Sequence, residues 1–189
     1  RTPDYRLALG IRFPGAHQVR NAALAAAIAL LAGWAPEAVA EGLARAEPEP
    51  GRGRLHALPH GGWLLDESYN ASGDSIVACA HALVDLDGGE PIAILGCMRE
   101  LGAAGPRLHR ETGALLKQAG IRRLWAYGTE AAEYREGFGA GALAFPDFEA
   151  LEADPTGLSA LPTGARILVK GSRYWRSERV VEWILKHLE

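Results

Sequence analysis

From Leu55 onward, short apolar runs alternate with helical stretches of about 10 to 15 residues, and this alternation constrains the fold more than any other feature. Leu55–Leu58 and Trp63–Asp66 flank the turn-forming Pro59-His-Gly-Gly, which predicts a hairpin. Strands are then expected over Pro91–Gly96, Arg123–Tyr127, Ala142–Phe145 and Arg166–Val169. Helices are expected between and after them, over Ser75–Leu86, Arg107–Ala119, Glu130–Glu136 and Ser177–Leu188, with one helical turn at Phe148–Glu152. Strands spaced by helices in this way form a mostly parallel sheet covered on both faces. The fold class is therefore a doubly wound α/β domain in which the opening hairpin supplies one antiparallel edge strand.

Ahead of that domain the pattern is helical. Arg1–Gly10 reads as the end of a strand and a loop, followed by an Ala- and Leu-rich helix over Val19–Leu31. Pro36 sits at the first turn of a second helix reaching about Ala46. The run Glu47-Pro-Glu-Pro-Gly-Arg-Gly then breaks any regular element, so residues 1–49 are expected to form one unit and 50–189 another. The first residue is Arg and not Met, so the chain is read as part of a longer protein.

Composition removes several function classes. A net charge of −3 supplies no basic field for nucleic acid. No apolar run approaches the roughly 20 residues that cross a bilayer, so membrane insertion is not expected. Cys79 and Cys97 have no metal-ligand spacing, which fits a reduced, cytoplasmic protein with inert thiols and no bound metal.

In open α/β sheets, ligands bind beyond the carboxyl ends of the strands. Three strands here end in polar or Gly-containing segments: Asp66–Ser75, Cys97-Met-Arg-Glu-Leu-Gly, and Lys170-Gly-Ser-Arg. A purely structural strand–helix loop needs a turn and a cap, and Ser72 or Asp74 could supply the cap. The mostly polar run of ten residues, Asp66–Ser75, exceeds that need. Asp66, directly at a strand end, is placed to bind a ribose hydroxyl, and Lys170 and Arg173 bring positive charge for a carboxylate or phosphate.

Asp66-Glu-Ser-Tyr-Asn-Ala-Ser-Gly-Asp-Ser resembles the D-D-S-Y-N-A-N-P-D-S signature of the Mur ligases of peptidoglycan synthesis, in the branch that adds D-alanyl-D-alanine. Leu168-Val-Lys-Gly-Ser-Arg resembles the family's V-L-V-K-G-S-R, and Pro50-Gly-Arg52 its hinge P-G-R. Pro14-Gly-Ala-His-Gln-Val-Arg-Asn-Ala-Ala-Leu resembles a segment closing the family's central ATPase domain, with Gln18 in place of the usual Asn. Ile94–Gly102 resembles L-G-D-M-x-E-L-G, with Cys97 where Asp is usual, so no charge-dependent role passes to Cys97.

The resemblance implies a helical remnant of the ATPase domain followed by the family's Rossmann-like C-terminal domain. It implies ATP contacts at His17, Asn21, Arg52 and Asp66, and contacts to the acceptor at Ser68, Tyr69, Asn70, Lys170, Ser172 and Arg173. Glu100 and His109 are expected to line the site. For each there is a structural alternative: an N-cap region for His17 and Asn21, a solvated linker for Arg52, helix surface for Glu100 and His109. The implied activity is an ATP- and Mg²⁺-dependent ligase, acting as a monomer, that joins D-alanyl-D-alanine to UDP-MurNAc-tripeptide through an acyl phosphate. The chain has no G-x-x-x-x-G-K-[ST] loop, so it is expected to be inactive alone, with no catalytic residue of its own assigned. Two other readings stay open: a related amide ligase of the folylpolyglutamate synthase or cyanophycin type, and a non-catalytic nucleotide- or peptide-binding α/β module.

Overall fold

The computed structural model describes residues 7–59, 61–154 and 161–188. The chain forms two compact units, Arg1–Pro48 and Glu49–Glu189. The strand end expected within Arg1–Gly10 lies outside the described residues apart from 7–10, which carry no regular structure. His60, in the expected hairpin turn, also lies outside them.

In the first unit, α1 spans Ala16–Leu31 and α2 spans Pro36–Arg45. α1 begins three residues earlier than periodicity alone predicts, because Gly15 takes the N-cap at φ 97°, a conformation glycine adopts without steric cost. His17 and Asn21 therefore lie within the helix, one turn apart on one face, and not in its cap. Pro36 occupies the first turn of α2, with Glu37 near its positive end and Arg45 near its negative end, as the helix dipole favours.

The second unit is built on a six-stranded sheet: β1 (Arg54–Ala57), β2 (Trp63–Glu67), β3 (Pro91–Gly96), β4 (Arg123–Tyr127), β5 (Ala142–Phe145) and β6 (Arg166–Lys170). Their order is β1-β2-β6-β3-β4-β5. β1 pairs antiparallel with β2 and every other pair is parallel, as the sequence predicts. The helices are α3 (Gly73–Val84), α4 (Gly105–Gln118), α5 (Ala131–Phe138), α6 (Phe148–Glu152) and α7 (Glu178–Leu188). No helix among the described residues is long and apolar enough to cross a membrane.

Successive strand residues point to opposite faces, and two cores follow from that period of two. Leu65, Ala93, Leu95, Leu124, Ala126 and Leu168 pack with α3, α4 and α5. Leu64, Ile92, Ile94, Trp125, Tyr127, Ile167 and Val169 pack with α6 and α7. β3 is buried along its whole length, which explains an unbroken apolar run where a one-sided strand would alternate. Each fully buried Leu or Ile contributes on the order of 1.5–3 kcal/mol relative to exposure.

β6 comes last in sequence yet lies between β2 and β3. The chain thus runs outward from β3 through β4 to β5 on one side, while β2 and β1 lie on the other. This reversal brings the carboxyl ends of β2, β6 and β3 together, the place where open α/β sheets form a crevice.

Candidate functional site

The crevice is a cleft of about 540 Å³ lined by three loops. After β2 come Tyr69–Gly73; after β3, Met98–Leu101; after β6, Ser172–Tyr174, with Leu108 of α4 at the back. These are the loops after the three polar strand ends noted in the sequence.

The first loop is shaped by Asp66. Its Oδ1 accepts the Ser68 N–H at 3.1 Å and its Oδ2 accepts the Gly51 N–H at 3.2 Å. The Gly51 carbonyl in turn accepts the Tyr69 N–H at 3.1 Å. Asp66 is buried, with both carboxylate oxygens engaged by backbone amides, and ties the Pro50-Gly-Arg segment to the strand end. Gly51 has φ +75°, and a Cβ there would meet the Tyr69 nitrogen at 2.9 Å, so only glycine allows this close approach. The consequence is Arg52, whose guanidinium carbon sits 3.8 Å from the Tyr69 ring centroid. Ser72 caps α3, its backbone N–H donating to Ser75 Oγ at 3.1 Å. Ser72 thus both caps α3 and lines the cleft.

Glu67 and Lys170 are register partners on β2 and β6. Glu67 Oε2 lies 3.2 Å from Lys170 Nζ, with both side chains shielded. Lys170 thus spends its charge on Glu67 beneath the cleft and does not line it. Ser68 is also buried below the surface. Ser172 and Arg173 do line the cleft, as do Tyr69 and Asn70. Gly171 permits the turn between Lys170 and Ser172: a Cβ there would meet Ser177 Oγ at 2.0 Å and Gly96 Cα at 3.1 Å. The Ser177 hydroxyl is itself 2.6 Å from the Tyr127 hydroxyl, whose proton burial holds on well above the ordinary tyrosine range.

Arg173 lies 5.9 Å from the Tyr69 centroid on its guanidinium carbon and pairs with Glu178 at 3.3 Å. Among the lining residues to which sequence reasoning gave no contact role are Arg99, whose guanidinium carbon stands 4.3 Å from the Tyr174 ring centroid, and Tyr174 itself. Arg99 occupies the variable position of the M-x-E-L-G string and Tyr174 directly follows K-G-S-R, and those positions are the available signal. Glu100 lines the cleft as expected, held at φ 64°. His109 is absent from this wall. It is fully buried, with Nδ1 donating to the Gly105 carbonyl at 2.7 Å and Nε2 accepting the Met98 N–H at 3.0 Å. Burial pushes the Cys97 thiol up to about 12, so in the metal-free chain it keeps its proton at neutral pH.

Chemically, the cleft offers two arginines against one glutamate, amide and hydroxyl groups from Asn70, Ser72 and Ser172, and apolar patches from Ala71, Met98, Leu101 and Leu108. That mixture suits a small zwitterionic or anionic ligand carrying short apolar side chains and a carboxylate. His17 and Asn21 lie on α1 of the first unit, Asn21 Nδ2 donating to Gln18 Oε1 at 3.2 Å.

Residues 51–173 match the family described as "Mur ligase, glutamate ligase domain". The chain is 34% identical over 181 residues to the UDP-N-acetylmuramoyl-tripeptide–D-alanyl-D-alanine ligase of Escherichia coli K12, covering 96% of this chain and 40% of that protein. A crystal structure of MurF from Acinetobacter baumannii superposes with TM-score 0.83 at 28% identity, covering 94% of this chain and 39% of that one. MurF ligase from Thermotoga maritima in complex with ADP superposes with TM-score 0.78 at 25% identity, covering 93% and 39%. The chain thus spans about two fifths of the length of these relatives.

Proposed function

For this chain, which belongs to the Mur ligase family, we propose the role of acceptor-binding portion of an ATP-dependent ligase that adds D-alanyl-D-alanine to UDP-MurNAc-tripeptide. The observation that carries this reading is the cleft, which brings Arg99 and Arg173, the Tyr69–Ser72 loop and the apolar groups of Met98, Leu101 and Leu108 to one lining. A D-alanyl-D-alanine carboxylate would pair with the guanidinium groups, its methyls would rest on Ala71, Met98 and Leu108, and its amide would meet Asn70. Held so, its free amine is directed out of the cleft toward an activated acyl group, and positioning is the main contribution of these residues.

In the reaction class this implies, the tripeptide's terminal carboxylate takes the γ-phosphoryl group of ATP with release of ADP. The amine attacks the carbonyl carbon of the acyl phosphate, and phosphate leaves as the C–N bond forms and the nitrogen gives up a proton. The carboxylates at the strand ends are poor candidates for Mg²⁺, an ion that prefers near-octahedral oxygen coordination with several waters retained. Asp66 has both oxygens on backbone amides and Glu67 is paired with Lys170. The phosphate- and metal-binding groups are therefore assigned to residues outside this chain. Asp66 serves nucleotide binding indirectly, by fixing Gly51 and so the position of Arg52, while Arg52, His17 and Asn21 face the nucleotide in the complete enzyme. Ser68 and Lys170 support the cleft from below. A cytoplasmic monomer fits this role.

Calorimetry of the 189-residue chain with D-alanyl-D-alanine and with ATP, in separate titrations, tests the reading. Binding of the dipeptide in preference to L-alanyl-L-alanine is expected, with weak ATP binding or none. ATP-dependent phosphate release by this chain alone, or nucleotide binding without dipeptide binding, would overturn it in favour of a separate nucleotide-binding module.

A further inference from the structure

Behind the Met98–Leu101 wall lies a second cluster that the acceptor reading does not use. Cys97 Sγ, a ring nitrogen of His109 and a carboxylate oxygen of Glu130 all lie within 4.8 Å of one another. Each comes from a different element: the exit of β3, the first half of α4, and the turn before α5. Cys97 and His109 are fully buried, while Glu130 is half-buried at the rim of a small cavity of about 170 Å³ that reaches His109.

Two features prepare this cluster for an ion. His109 donates its Nδ1 proton to the Gly105 carbonyl at 2.7 Å, which fixes the tautomer with a lone pair on Nε2. A backbone carbonyl that orients a histidine in this way is the usual outer support of a metal ligand. Independently, the Tyr134 hydroxyl is fully buried and has no hydrogen-bond partner among the described residues. Burial, with Cys97 and Glu130 nearby, holds its proton on well above the ordinary tyrosine range. The Tyr134 ring meets the His109 ring edge-on at 4.6 Å between centroids. A buried hydroxyl without a partner costs about 1–3 kcal/mol and calls for a missing oxygen or ion beside it.

We propose that Cys97, His109 and Glu130 form a structural site for a zinc-class divalent ion, with the Tyr134 hydroxyl bound to the ion or to a water on it. Thiolate, imidazole and carboxylate are the donor set that zinc takes in tetrahedral sites. Donors around such an ion stand about 3.5 Å apart, so the three groups close by about 1 Å on binding, mostly through the half-exposed Glu130. The Cys97 thiol proton leaves to solvent as the sulfur–metal bond forms, and Nε2 exchanges the Met98 amide for the ion. The ion then clamps the loop that carries Arg99 and Glu100 to α4 and α5, and so stiffens one wall of the cleft.

The test is binding of Zn²⁺ and Co²⁺ to the metal-stripped chain. One equivalent of Zn²⁺ is expected to survive dialysis and to raise the thermal midpoint. Co²⁺ is expected to give a thiolate-to-metal charge-transfer band with the intense visible bands of a tetrahedral site. Cys97→Ala removes the charge-transfer band, while Cys79→Ala, on α3 and outside the Cys97–His109–Glu130 cluster, keeps it. Glu130→Gln, at the rim and tolerant of folding, weakens Zn²⁺ binding at least about tenfold, since loss of even an outer-shell partner typically costs about 10- to 100-fold. A chain that binds no Zn²⁺, or whose Co²⁺ charge-transfer band persists in Cys97→Ala, overturns the proposal.

Discussion

Glu67 and Lys170 face each other on adjacent parallel strands, Oε2 3.2 Å from Nζ, in a setting nearly closed to water. The pair occupies the end of β2 and β6 beneath the cleft, where the loops after both strands begin. Its burial means that neither charge can be removed alone without leaving the other stranded in a weakly polar interior.

Removing one partner is therefore expected to be costly. Lys170→Met or Glu67→Gln should lower unfolding stability by about 3–5 kcal/mol, read from urea denaturation midpoints. The double substitution Glu67→Leu with Lys170→Met should cost less than either single one, because no uncompensated charge remains. Single variants within about 0.5 kcal/mol of wild type would show that water reaches the pair.

Tyr69 is the contact point between the Pro50-Gly-Arg segment and the cleft, with Arg52 stacked on its ring at 3.8 Å. A double-mutant cycle with Arg52→Ala and Tyr69→Ala should return a coupling of about 0.5–1 kcal/mol, the range for a partly exposed cation–π pair. Tyr69→Phe keeps the aromatic face and should keep the coupling. Additive single effects would mean that the two side chains do not interact in solution.

Cys79 gives a pH dependence with a defined sign. Burial pushes its thiol up to about 12 from the ordinary 9.0, with nearby Lys170 opposing this and Glu67 adding to it. Between those values the folded chain holds a proton that the unfolded chain has released. Stability from this group is therefore complete below the unfolded value and declines as pH rises from about 9 toward about 12. Urea midpoints should fall between about pH 8 and about pH 11, and Cys79→Ala should show a shallower fall. Thiol reagents should label Cys79 in the unfolded chain far faster than in the folded one. Equal rates in both would contradict its burial.

The sheet was legible because its strands are short and apolar, with boundaries marked by Pro91, Gly96 and Gly128. β3, β4 and β5 match the expected limits for that reason. Less legible was the order of strands, since insertion of β6 between β2 and β3 depends on contacts far apart in sequence. The 3-10 turns at Gly102–Ala104 and Arg173–Trp175 were not foreseen, because three residues carry no periodic signal. Motif strings identified the loops of the cleft but not which way each side chain turns. Lys170 and Asp66 read as ligand-facing from their chemistry, whereas the register of β2 with β6 and the amides of Gly51 and Ser68 engage them internally. Arg99 stands at the unspecified position of its motif and Tyr174 just beyond K-G-S-R, and they join the site through a stacking contact between two loops.

The central claim is that the cleft at the carboxyl ends of β2, β6 and β3 receives D-alanyl-D-alanine. Amide chemical-shift mapping of the isotope-labelled chain, titrated with D-alanyl-D-alanine, examines it residue by residue. Shifts are predicted to concentrate at Tyr69–Gly73, Met98–Leu101 and Ser172–Tyr174, to be smaller with L-alanyl-L-alanine, and to be lost in Arg173→Ala. Saturation with the dipeptide that leaves these amides unmoved, or moves a different surface, would contradict the account.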